Sequence, residues 1–195
     1  MIDPALIHHA LPDRILTERL ELRRDSVADA RAVLAAVLAS RAELAKWLDW
    51  VVPDYDLREA VRNQRRAVED WRAGYAFQWR IWERRPGAAT AALGPPQALL
   101  GSIDVHSIDW RARRAELGYW LASSAVGRGY LTEAGRAVTD VGFARLGFAV
   151  LTIRCHPDNV RSIATARRLG YHELAFDADG VVRLSRRADP GEVTP

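Results

Sequence analysis

One cysteine, one lysine and no long apolar run set the first limits on this chain of 195 residues. A lone Cys155 excludes an intramolecular disulfide and a multi-cysteine zinc site. No apolar stretch approaches the ~20 residues that a membrane-spanning helix needs, so no membrane partner is expected. The opening Met1-Ile2-Asp3-Pro4 lacks a basic region followed by an apolar stretch, so it predicts no secretory signal. A cytoplasmic location is the expectation from these features together. Lys46 is the single lysine, and the remaining positive charge is arginine, spread in pairs such as Arg23-Arg24, Arg113-Arg114 and Arg186-Arg187. No run of five like charges occurs and the net charge is only +3, which argues against a nucleic-acid partner.

Nearly half the residues, 49%, are apolar, enough for a core, and the length suits one domain. Residues 1–13 are expected to form an N-terminal extension, 14–187 the domain and 188–195 a flexible tail. Ile15, Leu20 and Leu22 among polar neighbours predict a first strand over 14–24. Asp25-Ser26 can cap a following helix over 27–38, with a short second helix over 41–47. Pro53-Asp54 breaks the chain before a helix over 57–71. The aromatic run 75–82 reads as a strand, 85–96 as a loop, and 98–106 and 112–121 as further strands. Leu131, Ala134, Val138 and Val141 share one face of a predicted helix over 128–146. A strand over 150–155, a helix over 159–169 and a hairpin around Asp179-Gly180 complete the order. Strands interleaved with helices predict an α/β (α+β) fold with a mixed sheet.

The segment from Glu116 to Ala134 carries the most chemical information. A strand ends near Leu121, and Gly127-Arg128-Gly129 opens the long helix. Glycine accepts positive φ and lets a ligand approach the backbone. The first amides of a helix have no intrahelical partner, and their partial positive charge favours phosphate. Strand, glycine turn and helix start thus form a suitable cradle for a pyrophosphate. The spacing fits neither a P-loop, which needs Gly-Lys-Ser/Thr, nor a dinucleotide fold, which needs a third glycine.

Glu116-Leu-Gly-Tyr-Trp-Leu121, followed by Val126-Gly-Arg-Gly-Tyr130 and Thr132-Glu-Ala134, resembles motif A of the GNAT acetyltransferases, in their RimJ/RimL-like branch. Ser124 departs from the Gln or Arg common at that position. A second stretch agrees: Asn159-Val-Arg-Ser162 and Ala166-Arg-Arg-Leu-Gly-Tyr171 resemble the family's Asn-x-x-Ser helix and its Leu-Gly-aromatic ending. A third, 41–51, resembles the region where two helices meet over the acceptor. The likeness spans 15–187. It implies a single mixed, mostly antiparallel twisted sheet of six to seven strands, four to five helices, and a splayed central strand pair.

The resemblance also implies acetyl-CoA as cosubstrate, without a metal. Its pantetheine arm would enter between the splayed strands, and the glycine turn would hold the diphosphate. The coenzyme-binding residues implied are Tyr119, Trp120, Leu121, Val126, Gly127, Arg128, Gly129, Tyr130, Leu131, Asn159 and Ser162. Asn159 can equally serve as a helix cap. Trp47 and Trp50 are candidates to line the acceptor pocket, or ordinary packing residues, and Asp104 is a candidate acidic contact. A protein α-amine titrates at roughly 7.7–8.0, so about a tenth is free at pH 7 and only modest help from a base is needed. Glu116 is the candidate base, acting directly or through water, unless it merely pairs with Arg113 or Arg114. The family's usual tyrosine acid is replaced by Ala166, so Ser162 is the candidate acid. A backbone amide near Tyr119 or Trp120 would meet the developing oxyanion.

Direct transfer needs no acyl-enzyme, and Cys155 reads as a small buried residue. His106, His156 and His172 are too dispersed in sequence to suggest a metal site. The acceptor is expected to be a protein N-terminus of the ribosomal-protein type. A small amine (aminoglycoside, polyamine or amino acid) is the alternative, and a non-catalytic acyl-CoA-binding module is a further one. Monomer and homodimer are both compatible with the sequence.

Overall fold

The computed structural model describes residues 11–84, 98–176 and 179–189. The expected loop over 85–96 and most of the expected N-terminal extension and tail lie outside these residues. Among the described residues, eight strands form one sheet in the order β1-β2-β3-β4-β5-β6-β8-β7. They are β1 (Arg14–Leu16), β2 (Leu20–Arg24), β3 (Phe77–Glu83), β4 (Leu99–Asp109), β5 (Arg114–Leu121), β6 (Val150–Cys155), β7 (His172–Phe176) and β8 (Val182–Arg187). Only β5 and β6 pair in parallel; every other neighbouring pair is antiparallel. The helices are α1 (Ala30–Leu44), α2 (Leu57–Ala73), α3 (Tyr130–Ala144) and α4 (Val160–Arg168). The mixed α/β sheet with a splayed pair is thus as the sequence predicts.

Two expected boundaries change. The predicted strand over 14–24 is a hairpin, β1 and β2, which raises the strand count to eight. No glycine or proline marks its turn. The side chain of Thr17 does the work instead, accepting the Leu20 amide at 3.0 Å. The two short helices expected over 27–47 are a 3-10 turn at Val27–Asp29 and one continuous helix, α1. Ser40 does not break it, because its hydroxyl is buried and accepts the Ser123 amide at 2.9 Å.

The sheet separates two cores. Phe77, Trp79 and Ile81 of β3, Ile103 and Val105 of β4 and Leu117 of β5 pack with Tyr130, Ala134, Val138 and Phe143 of α3 and with Ile163 and Ala166 of α4. Trp82, Leu99 and Trp120 pack on the other face with α1 and with Ala60 of α2. The period-two alternation of each strand decides which face a residue serves. Arg80 lies on the α1/α2 face and is buried against Asp25, with contacts of 2.6 and 3.0 Å. Gln64 of α2 donates to the same carboxylate at 2.5 Å. This network pins α2 to the sheet. Burial pushes the Asp25 carboxyl above its ordinary pKa, against the pull of Arg80. Asp56 caps α2 by accepting the Glu59 amide at 2.9 Å, and Gly74 ends it at φ 72°.

Candidate active site

The site begins where two strands part. Arg114, Ala115 and Glu116 pair with Val150, Leu151 and Thr152, and no register partner follows along β5 and β6. Beyond Glu116 the strands open around a cleft of about 1530 Å³. The Ala122 amide bonds to Leu100 on β4, whereas the Arg113 carbonyl accepts from Ala149 on the β6 side. Alternation along β5 therefore turns the amides of residues 117, 119 and 121 into the opening. Of the two candidates for an oxyanion donor, Tyr119 faces the gap and Trp120 faces β4.

The glycine turn lies at one end of this cleft. Gly127 and Gly129 have φ values of 81° and 78°, a conformation that other residues adopt only with strain. The first hydrogen bond of the α3 turn runs from the Glu133 amide to the Gly129 carbonyl at 3.1 Å. Among the described residues, the amides of 127–132 have no protein acceptor. A Cβ placed on Gly127 would meet no heavy atom within 4 Å. The result is a row of unsatisfied donors at a helix start, open to a wide cleft, which is the arrangement that binds phosphate.

A clamp from the β1–β2 turn fixes this loop. Arg19 donates to the Arg128 carbonyl at 2.9 Å and to Glu133 at 2.7 Å, while its own amide bonds to Glu133 at 2.8 Å. Thr17 also donates to Glu133, at 2.5 Å. Burial pushes the Glu133 carboxyl up, but the hydrogen bonds from Thr17 and Arg19 together hold it below the ordinary value. The guanidinium carbons of Arg19 and Arg128 lie 4.9 and 4.8 Å from the ring centre of Tyr130. The Tyr130 side chain is buried and donates to Glu83 at 2.5 Å. Tyr130 and Arg128 therefore lie outside the cleft walls; the Arg128 side chain is exposed, 3.6 Å from Glu83.

The opposite wall is the start of α4. Asn159 caps that helix, accepting the Ser162 amide at 3.1 Å. The Ser162 hydroxyl lies 3.0 Å from the hydroxyl of Tyr119. Burial pushes the Tyr119 phenol up to about 12, so it stays protonated at neutral pH. Tyr119, Trp120, Leu121, Val126, Gly127, Gly129, Leu131, Asn159 and Ser162 all line the cleft.

On the α1/α2 face, Trp47 also lines the cleft, its ring 5.7 Å from that of His156. Trp50 lies off the cleft, 6.1 Å from Trp120 and 5.7 Å from Tyr55. Asp104 and Glu116 are not cleft walls either; they flank His106 at the apex of the splay. The His106 Nδ1 is 3.5 Å from Asp104, and its Nε2 is 3.6 Å from Glu116. Glu116 therefore faces an imidazole across the β4–β5 pair. The Asp104 carboxylate, first as hydrogen-bond partner, raises the His106 pKa against the effect of burial. Among the described residues there is no group of three or more His, Cys, Asp or Glu arranged to hold a metal. Sequence reading missed His106, Arg19 and the Tyr119 hydroxyl. Alternation puts 104 and 106 on one face and was a usable signal for His106, whereas nothing local marks Arg19.

A parallel pair that splays beside a glycine turn at a helix start defines an acyltransferase-type cleft. Residues 19–172 match the family model described as an acetyltransferase (GNAT) domain, and the chain belongs to that family. It is 26% identical over 166 residues to "Putative ribosomal N-acetyltransferase YdaF" of Bacillus subtilis (strain 168), covering 85% of each protein. It is 25% identical over 176 residues to the N-acetyltransferase p20 of Bacillus licheniformis, covering 90% of this chain and 89% of that protein. The fold is shared with RimL, a ribosomal α-N-protein acetyltransferase solved in complex with coenzyme A. That likeness has a TM-score of 0.77 and 24% identity, and covers 90% of this chain and 97% of the other. The microcin self-immunity acetyltransferase MccE, solved with acetyl-CoA and AMP, has the same fold at a TM-score of 0.77 and 19% identity, covering 95% and 100%. No helix among the described residues is long and apolar enough to cross a membrane.

Proposed function

We propose that the protein transfers the acetyl group of acetyl-CoA to the N-terminal α-amine of a protein, of the kind named for YdaF and RimL. The observation that carries this reading is the row of unpaired amides at 127–132 beside an open strand pair. The amides of 127–131 would take the diphosphate, with Arg19 and Glu133 keeping the loop in shape. The pantetheine would run along β5, past Leu121 and Tyr119, as one more strand-like partner to the unpaired amides of the splay. Acetyl-CoA supplies the activated acyl group. The Tyr119 amide faces the point where negative charge would develop on the carbonyl oxygen.

The hydroxyl pair of Ser162 and Tyr119 is the proton source for the departing sulfur, with Ser162 as the donor and Tyr119 as its hydrogen-bond partner. Glu116, at the apex of the splay, belongs to the path that draws a proton from the incoming amine. Trp47 and Trp120 form apolar cleft walls that would face the acceptor.

The test is direct. Purified protein is incubated with acetyl-CoA and a panel of serine- and alanine-initiated peptides, polyamines and aminoglycosides. Free thiol release and product mass are followed. Turnover of α-amines over the other amines is expected. Turnover confined to small non-peptide amines would reject the acceptor assignment, and coenzyme binding without any turnover would reject the transferase reading.

A further inference from the structure

We propose that His106 is the group that takes the proton from the acceptor amine, with Asp104 and Glu116 holding its imidazole in place. This deepens the transferase reading above and rests on it.

The placement comes from the register of two strands. His106 lies directly across from Glu116, and Asp104 directly across from Gly118. All four side-chain positions are on the sheet face that carries α1 and α2, because Trp120 of the same alternating set packs there. The imidazole and the Asp104 carboxylate lie across Gly118. A Cβ at 118 would be 2.4 Å from Asp104 Oδ1 and 2.9 Å from His106 Cε1. Any side chain there would push the pair aside, so the close approach depends on glycine. Gly118 is itself a cleft wall, and the next residue, Tyr119, turns its amide into the opening. Gly118, against which the imidazole packs, is thus the residue directly before the proposed oxyanion donor.

The surroundings suit a proton acceptor. Asp104 on β4 and Glu116 on β5 face the ring, and Arg154 on β6 acts on it from the far side of the splay. The His106 side chain does not itself line the cleft, but it is 38% exposed and lies beside Gly118, which does. The two carboxylates face the ring nitrogens at 3.5 and 3.6 Å, too far for short hydrogen bonds, and stabilise the imidazolium that forms when the ring takes a proton. They also attract an ammonium group to the apex. A carboxylate ordinarily titrates near 4.3, more than three units below an α-amine at roughly 7.7–8.0. An imidazole raised by Asp104 lies closer to the operating pH, where a general base is most effective.

The step balances as follows. Neutral His106 Nε2 takes one proton from R–NH3+. The freed nitrogen lone pair forms the C–N bond to the thioester carbonyl carbon. The C–S bond breaks with its electron pair going to sulfur, which takes a proton from the Ser162–Tyr119 pair. The second proton lost from nitrogen, as the amide forms, restores that pair. His106 then releases its proton to solvent, so one proton is produced per turnover.

The experiment measures kcat/KM between pH 5.5 and 9.5 at saturating acetyl-CoA, with a tetrapeptide bearing a free N-terminal serine. His106→Gln should lower kcat/KM at pH 7 by about 10²–10⁴-fold, the usual range for a lost general base. It should also remove one ionisation from the rising limb and leave coenzyme affinity unchanged. Glu116→Gln should move that limb to lower pH, because a carboxylate facing the ring is gone. Titration of the His106 Cε1 proton by NMR should show the same downward movement in Glu116→Gln and Asp104→Asn, which tests the placement even if His106→Gln folds poorly. Peptide turnover in which His106→Gln keeps the wild-type pH profile would overturn the assignment of His106 alone. A wild-type enzyme inert toward every amine would overturn the transferase reading and this inference together.

Discussion

Replacing Gly127 with glutamate should sharply weaken coenzyme binding while leaving the fold intact. Gly127 has φ 81°, and a Cβ there meets no atom within 4 Å. The fold therefore suffers no clash, only the cost of a left-handed residue, roughly 1–2 kcal/mol. For a chain of this size that lowers Tm by about 2–8 °C, at about 2–4 °C per kcal/mol. Binding suffers more. A carboxylate about 4 Å from one phosphate charge is repelled by about 1 kcal/mol in water and about 4 kcal/mol at an effective dielectric of about 20. The strain is present in free and bound protein alike, so repulsion sets the loss: about 1–4 kcal/mol, or about 5-fold to about 700-fold in affinity at about 1.4 kcal/mol per decade. Gly127→Ala carries the strain without the charge and should lower Tm by the same amount while binding coenzyme A within a few-fold of wild type. Isothermal titration calorimetry with coenzyme A measures both, and thermal unfolding confirms the fold. A Gly127→Glu protein that binds coenzyme A as well as wild type would refute the reasoning, because no diphosphate could then lie against this turn.

Four further outcomes are expected. Ser162→Ala should reduce kcat by about 10–100-fold with acetyl-CoA affinity nearly unchanged, a smaller loss than a strong general acid gives because the protonated Tyr119 remains beside it; wild-type kcat would remove Ser162 from the mechanism. Arg19→Ala should weaken coenzyme binding about 5–30-fold through loss of the bonds to the Arg128 carbonyl and Glu133, each charge-assisted bond contributing roughly 1.5–3 kcal/mol gross; the Glu133 contribution to stability is fully present above about pH 4.5 and is lost as pH falls through its depressed pKa, so thermal unfolding below pH 4.5 should be less pH-dependent in Glu133→Gln. Asp25→Ala leaves the Arg80 charge buried without its carboxylate and should cost about 3–5 kcal/mol, or about 6–20 °C in Tm by differential scanning calorimetry.

The parts of the structure written in local chemistry were legible in the sequence. Gly127 and Gly129 mark a turn that needs left-handed backbone, and Asn159 is a helix cap. The parts set by distant partners were not. Thr17 makes a turn from a hydroxyl, without glycine or proline, so β1 and β2 read as one strand. Ser40 looks like a helix end but is held by Ser123, 83 residues away. His106 acquires its meaning from cross-strand register, which places it opposite Glu116 and over Gly118. Arg19 reaches the glycine turn across 109 residues, and only the assembled sheet brings them together. Trp47 and Trp50, three residues apart, diverge because α1 ends at Leu44 and the chain turns between them.

A crystal structure of the protein with coenzyme A tests the central claim most directly. The diphosphate oxygens should lie within about 3.2 Å of backbone nitrogens in 127–131, with the pantetheine between β5 and β6. A coenzyme seated elsewhere, with those amides bound only to water, would contradict the account.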